Sequence, residues 1–171
     1  MKKLVLLILI LVLVTGCIRT SNYIVKDEKV EANYATYEIK GLVEIEELKD
    51  TDIHAYCLKE DLEKENPDKV ILRKIINDYT LSNNLAFKNF IPKNLYNIYG
   101  ENIHITGNTI IKNKNKIVYK YIVEKKEDNK KITTYYIVGN YKYIYVKVEN
   151  NSENSNLDKA VYNLVKTFKW E

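Results

Sequence analysis

Cysteine, proline, glycine, histidine and arginine are all scarce in this chain. Cysteine occurs only at 17 and 57, so a disulfide-stapled scaffold and a four-cysteine zinc module are both excluded. Two prolines and five singly placed glycines leave no proline-rich linker and no glycine-rich phosphate loop. No Gly-x-Ser-x-Gly occurs, so there is no nucleophile elbow. The two histidines, His54 and His104, stand far apart and outside zinc-ligand spacing. Arginine is found only at 19 and 73, and lysine supplies the rest of the +4 net charge. Nucleic-acid readers rely on the bidentate arginine fork, so this lysine surplus does not point to nucleic acid. Long hydrophobic runs are also missing, with one exception at the start.

That exception is Leu4 to Val14, preceded by Lys2-Lys3 and followed by Thr15-Gly16-Cys17. The run is well short of the roughly 18–20 apolar residues that span a bilayer, and matches a secretory leader. Val14-Thr15-Gly16-Cys17 resembles the lipobox of bacterial lipoproteins. The resemblance implies that the Cys17 sulfur receives a diacylglyceryl group and that the chain is cut just before it. Residues 1–16 are then the signal peptide, and fatty acyl chains on Cys17 hold the protein on a membrane. Lys2 and Lys3 leave with the leader, which brings the net charge near +2. Ile18, rather than Asp, follows Cys17. That implies the periplasmic side of the outer membrane in a two-membrane cell, or the outer face of the plasma membrane in a single-membrane one. With Cys17 acylated, Cys57 has no partner and is expected in the core as a small apolar residue.

Residues 17–33 carry few large apolar side chains and are expected to form a flexible tether, with one domain over 34–171. Alternation marks strands around Tyr37 and Ile39, Val43 and Ile45, and Ile53 to Leu58. Asn66-Pro67-Asp68 followed by Leu72, Ile75, Ile76 and Tyr79 predicts a helix to about Thr80. Leu85 to Ile91 is mixed, and Pro92 to Tyr99 predicts a short helical turn closed by Gly100. Four consecutive antiparallel strands follow: 103–112 interrupted at Gly107-Asn108, then 117–124, 132–138 and 141–148. Gly139-Asn140 predicts a two-residue turn that pairs Val138 with Tyr141 and Tyr136 with Tyr143. Ser155-x-x-Asp158 has the spacing of a capping box, and Leu157, Val161, Leu164 and Phe168 line one face of a last helix. Trp170 is expected at the sheet edge.

This order predicts an α+β domain: an antiparallel meander sheet with helices packed on it. The Tyr/Ile/Val strands, the tight turn and the helix ending Lys166-Thr167-Phe168-Lys169-Trp170 resemble the PsbP-like α/β/α sandwich. That resemblance implies an accessory or binding role and brings no catalytic residues.

Candidate chemistry is thin. His54 and Cys57, three apart on a strand, face opposite sides. The acids Glu44, Glu46, Glu47, Asp50 and Asp52, and then Glu60, Asp61, Glu63 and Glu65, are interleaved with lysine and read as a solvated face. They lack the spacing of a calcium loop. No cofactor or metal is expected. The abundant residue is tyrosine, 15 in all. Tyr141, Tyr143 and Tyr145 alternate, and the expected hairpin register adds Tyr136. Tyr119 and Tyr121 form a similar pair. An exposed row at Tyr136, Tyr141, Tyr143 and Tyr145 would suit a glycan or an apolar partner. The competing reading places the row in the core beneath a helix, since tyrosine is also a favoured strand residue. Lysines between Lys112 and Lys131 outnumber acids and suit a solvated edge or, alternatively, contact with anionic envelope polymers or lipid headgroups.

The functional expectation is a non-enzymatic binding or accessory module. It is anchored to a membrane through its lipid and engages an envelope protein or polymer. The alternatives are an envelope hydrolase in which His54 or His104 meets a carboxylate or hydroxyl, and an envelope immunity or inhibitor protein.

Overall fold

The computed structural model describes residues 23–171. The leader and Cys17 lie outside the described residues. The elements in order are β1 (Tyr23–Lys26), β2 (Lys29–Ala32), β3 (Ala35–Glu38), β4 (Leu42–Glu44), β5 (Ile53–Leu58) and β6 (Lys69–Ile76). Helix α1 (Asn84–Tyr99) comes next, then β7 (Ile103–Lys112), β8 (Ile117–Lys125), β9 (Lys131–Val138), β10 (Lys142–Glu149), α2 (Ser155–Thr167) and β11 (Lys169–Trp170).

Seven strands make an antiparallel sheet in the order β4-β5-β6-β10-β9-β8-β7. A smaller antiparallel sheet has the order β1-β2-β3-β11. The fold is α+β, and β7 to β10 form the expected meander. Side chains alternate between the two faces of a strand, and both faces of the large sheet are covered. Phe87, Ile91 and Leu95 of α1 pack on the face that carries Tyr119, Tyr121, Val123, Tyr136, Val138 and Tyr143. Val118, Tyr135, Ile137, Ile144 and Val146 point the other way. They meet Leu157, Val161, Leu164 and Val165 of α2 together with Val30, Ala35 and Tyr37 of the small sheet.

Four expectations change. The helix over 67–80 is strand β6. Val70 and Leu72 enter the core beneath α2, while Ile75 packs on the α1 side. Leu72, Ile75 and Ile76 fall at helical spacing, but Ile76 is 78% exposed, and the fully buried residues are the alternating Val70 and Leu72. Asp68 does not open a helix: its carboxylate accepts from the Asn151 amide at 2.8 Å, from the Ser152 amide at 3.1 Å and from the Ser152 hydroxyl. The mixed segment and the short turn are one helix, α1, with Pro92 inside it. Proline removes the bond to the carbonyl four residues back. That carbonyl belongs to Lys88 on the exposed side, where water can serve it.

The flexible tether expected over 17–33 is not found at 23–32, which form the β1–β2 hairpin. Asp27 and Glu28 both adopt positive φ, at 51° and 60°, as a two-residue turn of type I′ requires. Finally, Gly107-Asn108 is no turn. β7 runs through it, and Gly107 stands opposite Tyr121. A Cβ there would lie 2.2 Å from the Tyr121 ring, so glycine makes room for the tyrosine.

Smaller shifts concern registers and caps. Tyr143 pairs with Val138, and Tyr145 pairs with Tyr136. The turn sits at Asn140-Tyr141, held by the Gly139 amide donating to the Lys142 carbonyl at 2.9 Å. Asn154, not Ser155, caps α2, its side chain accepting from the Asn156 amide at 2.9 Å. Trp170 does sit at a sheet edge, in β11, with its indole against Gly139.

Candidate functional site

The tyrosine row is real as a register but closed as a surface. Tyr136 and Tyr143 are buried beneath α1. The Tyr136 hydroxyl donates to Asn94 of α1 at 2.9 Å. Tyr145 is partly buried, its hydroxyl 2.7 Å from that of Tyr99. Tyr141 leaves the row altogether: it occupies the turn at φ 58° and is 60% exposed. The expected binding face at Tyr136, Tyr141, Tyr143 and Tyr145 is therefore not formed. A helix carrying Phe87, Ile91 and Leu95 covers it, and burying those rings stabilises the core at about 25 cal/mol per Å² of apolar surface.

Two other constellations stand out. The first is a cleft of about 450 Å³ at one end of the large sheet. Lys125 at the end of β8, Lys130 and Lys131 entering β9, and Lys147 on β10 line it, with Ile98 and Tyr99 from the end of α1 as an apolar wall. Asn66, Asn150 and Asn151 supply amides. Glu149 is the one acid in the lining. It is already engaged by Lys147 at 2.6 Å and Lys69 at 3.4 Å. Burial pushes its carboxyl up, but the bonds from these two lysines outweigh that, and it stays below the usual carboxylate range. The cleft is therefore cationic. Lys125, Lys130 and Lys131 belong to the lysine-rich stretch between Lys112 and Lys131. Lys147, Tyr99 and the asparagines join them only through tertiary packing.

The second constellation is a hydrogen-bonded chain under the small sheet. The Tyr23 hydroxyl donates to Glu44 Oε1 at 2.7 Å and lies 2.7 Å from the Tyr56 hydroxyl, which lies 2.8 Å from that of Tyr37. Glu44 also takes His54 Nδ1 at 3.1 Å and Lys49 Nζ at 3.1 Å. An ionised carboxylate only accepts, so His54 carries its proton on Nδ1. Burial lowers the His54 pKa, and Glu44 offsets this only in part, so the ring is neutral at pH 7. Burial raises the Glu44 carboxyl, but bonds from Tyr23, Lys49 and His54 prevail and hold it below its ordinary value. The Tyr23 ring stacks on His54 with centroids 4.2 Å apart and a 7° tilt, and the Lys49 ammonium lies 4.6 Å from the centre of the same ring. His54 thus meets a carboxylate, as a hydrolase would need, but beneath a lid of tyrosine. His104 is exposed on the outer strand β7. Cys57 is buried and free, as expected.

Among the described residues, no group of three or more metal-ligating side chains converges and no helix is long and apolar enough to cross a membrane. No protein-family model matches this chain, and no curated protein sequence matches it.

Proposed function

We propose that this protein is a lipid-anchored, non-enzymatic binding module of the cell envelope, with a PsbP-like sandwich as its body, and that it holds an anionic envelope polymer in the lysine cleft. One observation carries the reading: Lys125, Lys130 and Lys131 converge on a single cleft whose one carboxylate, Glu149, is already paired with Lys147 and Lys69. A repeating anion suits such a site, because each lysine is a point charge that meets phosphate or carboxylate without demanding fixed geometry. Tyr99 and Ile98 add an apolar wall for the backbone of a polymer. The leader and Cys17 support the address.

The test is binding of the full-length protein to a phosphate-backbone polymer and to a neutral polysaccharide. Lys130→Glu with Lys131→Glu is expected to weaken the first by about tenfold or more, since each reversal replaces attraction with repulsion worth roughly 1 kcal/mol at a solvated site. Raising the salt should weaken binding of the parent. Equal affinity for the two polymers, or an indifferent double variant, refutes the site. Retention of a Cys17→Ser variant in the membrane fraction refutes the anchor separately. The hydrolase reading has the His54–Glu44 pair in its favour, and it requires Tyr23 to swing aside. Hydrolytic activity abolished by His54→Asn would establish it over the binding module.

A further inference from the structure

The short tether has a geometric consequence. Tyr23 is fixed to the body by its hydroxyl bonds to Glu44 and Tyr56 and by its stack on His54. Five residues separate it from Cys17, and the six steps from one Cα to the next span at most about 20 Å when fully extended. A tether running to residue 33 would have reached roughly 50 Å.

β1 is the outermost strand of the small sheet, with β2 on one side and no described strand on the other. Two of its residues are large, apolar and exposed, Ile24 at 56% and Val25 at 45%; as strand neighbours they project from opposite faces and so flank the free edge of β1 from either side. Lys26 follows them on the same strand, also exposed. We infer that this edge is a membrane-docking surface, with Ile24 and Val25 resting at the headgroup level of the bilayer and Lys26 against its phosphates.

The inference rests on the lipid-anchor reading given above. The bilayer is the occupant, because acyl chains on Cys17 bring it to this edge before any other large surface. A leash so short gives the patch a high effective concentration of lipid. The charges around the patch set the depth. Asp27 and Glu28 occupy the turn, with Glu28 Oε1 accepting from the Gly41 amide at 3.2 Å. Lys29 is paired with Glu31 at 2.8 Å. Unneutralised acids resist entry into hydrocarbon, so the contact is shallow and includes no insertion of the turn. The lysine cleft draws on β8, β9 and β10 and lies several strands away from the edge that holds Tyr23, so docking leaves it open to the polymer.

The test uses the full chain, purified with its acyl groups and reconstituted into liposomes of zwitterionic and anionic phospholipid that contain headgroup-spin-labelled lipid. A fluorophore is attached at Ile24→Cys and, separately, at Tyr96→Cys on α1, which covers the opposite face of the large sheet. Cys57 is buried, and an acylated Cys17 has no free thiol. Quenching at position 24 is expected to exceed that at 96 several-fold, and Val25→Glu, at an exposed position, is expected to bring it down to the level of 96. Equal quenching at the two positions in an acylated chain overturns the docking and leaves the anchor standing. Strong quenching at 24 that survives Val25→Glu also overturns it, because proximity would then come from the leash alone. A mature chain that mass spectrometry finds without acyl groups overturns anchor and docking together.

Discussion

Lys116 offers the sharpest test of how this fold is held together. It ends the turn between β7 and β8, where Asn113 Oδ1 accepts from the amides of Asn115 and Lys116 at 2.9 Å each and so aims the lysine inward. Its ammonium donates to the carbonyls of Val165 at 2.9 Å, Lys166 at 2.8 Å and Phe168 at 2.6 Å. These carbonyls close α2, where the last turn has no partners within the helix and the helix dipole favours a positive charge. Lys116→Met keeps the length and removes the donor. Each carbonyl left without its partner costs about 1–3 kcal/mol, offset in part because a charge no longer has to be desolvated. A net loss of about 2–4 kcal/mol follows. For a domain of this size that lowers Tm by roughly 4–16 °C.

The pH dependence adds a sign. Burial, helped by Lys169, lowers the Lys116 pKa from 10.5 to about 8. Between those values the unfolded chain binds more protons than the folded one, so this lysine's contribution to stability rises with pH across that window. The gap between parent and Lys116→Met is therefore expected to widen from pH 8 towards pH 10.5, read by urea denaturation at each pH. A variant within about 0.5 kcal/mol of the parent, or a gap that narrows with rising pH, refutes the reasoning.

Asp68→Asn removes the anion that receives Asn151 and Ser152, and is expected to cost about 1–3 kcal/mol at pH 7 in denaturant melts. Burial raises the Asp68 carboxyl, but those donors prevail and its pKa is lowered. Its contribution is thus complete above the ordinary aspartate range and fades as pH falls through the folded pKa, so the parent should lose its advantage in acid. Gly107→Ala places a Cβ against the Tyr121 ring and is expected to destabilise by about 1–3 kcal/mol; Tyr121→Leu in the same chain should recover part of that loss. Glu44→Gln removes the charge and one of the two acceptor oxygens shared by Tyr23, His54 and Lys49, and hydrogen exchange should then show the β1–β2 amides opening first, with α1 and the β8–β9 pair still protected.

Much of the architecture was legible in local pattern. The strands β8 to β10 alternate in Tyr, Ile and Val, and α2 shows an apolar face at Leu157, Val161 and Leu164, so period alone identified them. β6 reads as a helix because Arg73 and Lys74 interrupt its alternation, while the exposed Ile76 completes a helical spacing with Leu72 and Ile75. α1 was broken at Pro92 because proline is a strong helix breaker unless the freed carbonyl faces water. The hairpin β1–β2 lies in a polar stretch, since β1 is a largely exposed edge strand and in β2 only Val30 and Ala32 face inward.

The sequence by itself determined the composition of each stretch: a lysine-rich far half, a tyrosine-rich meander, and an apolar opening run followed by Thr-Gly-Cys. Side-chain period and residue type are local properties, and they survive reading one residue at a time. Only the tertiary structure decided which tyrosines are covered, which lysines share a cleft and that Tyr23 already belongs to the folded body. Those outcomes depend on α1 folding back over β8 to β10 and on Tyr23 finding Glu44, 21 residues away. Contacts between residues distant in the chain leave no mark on the spacing of either partner.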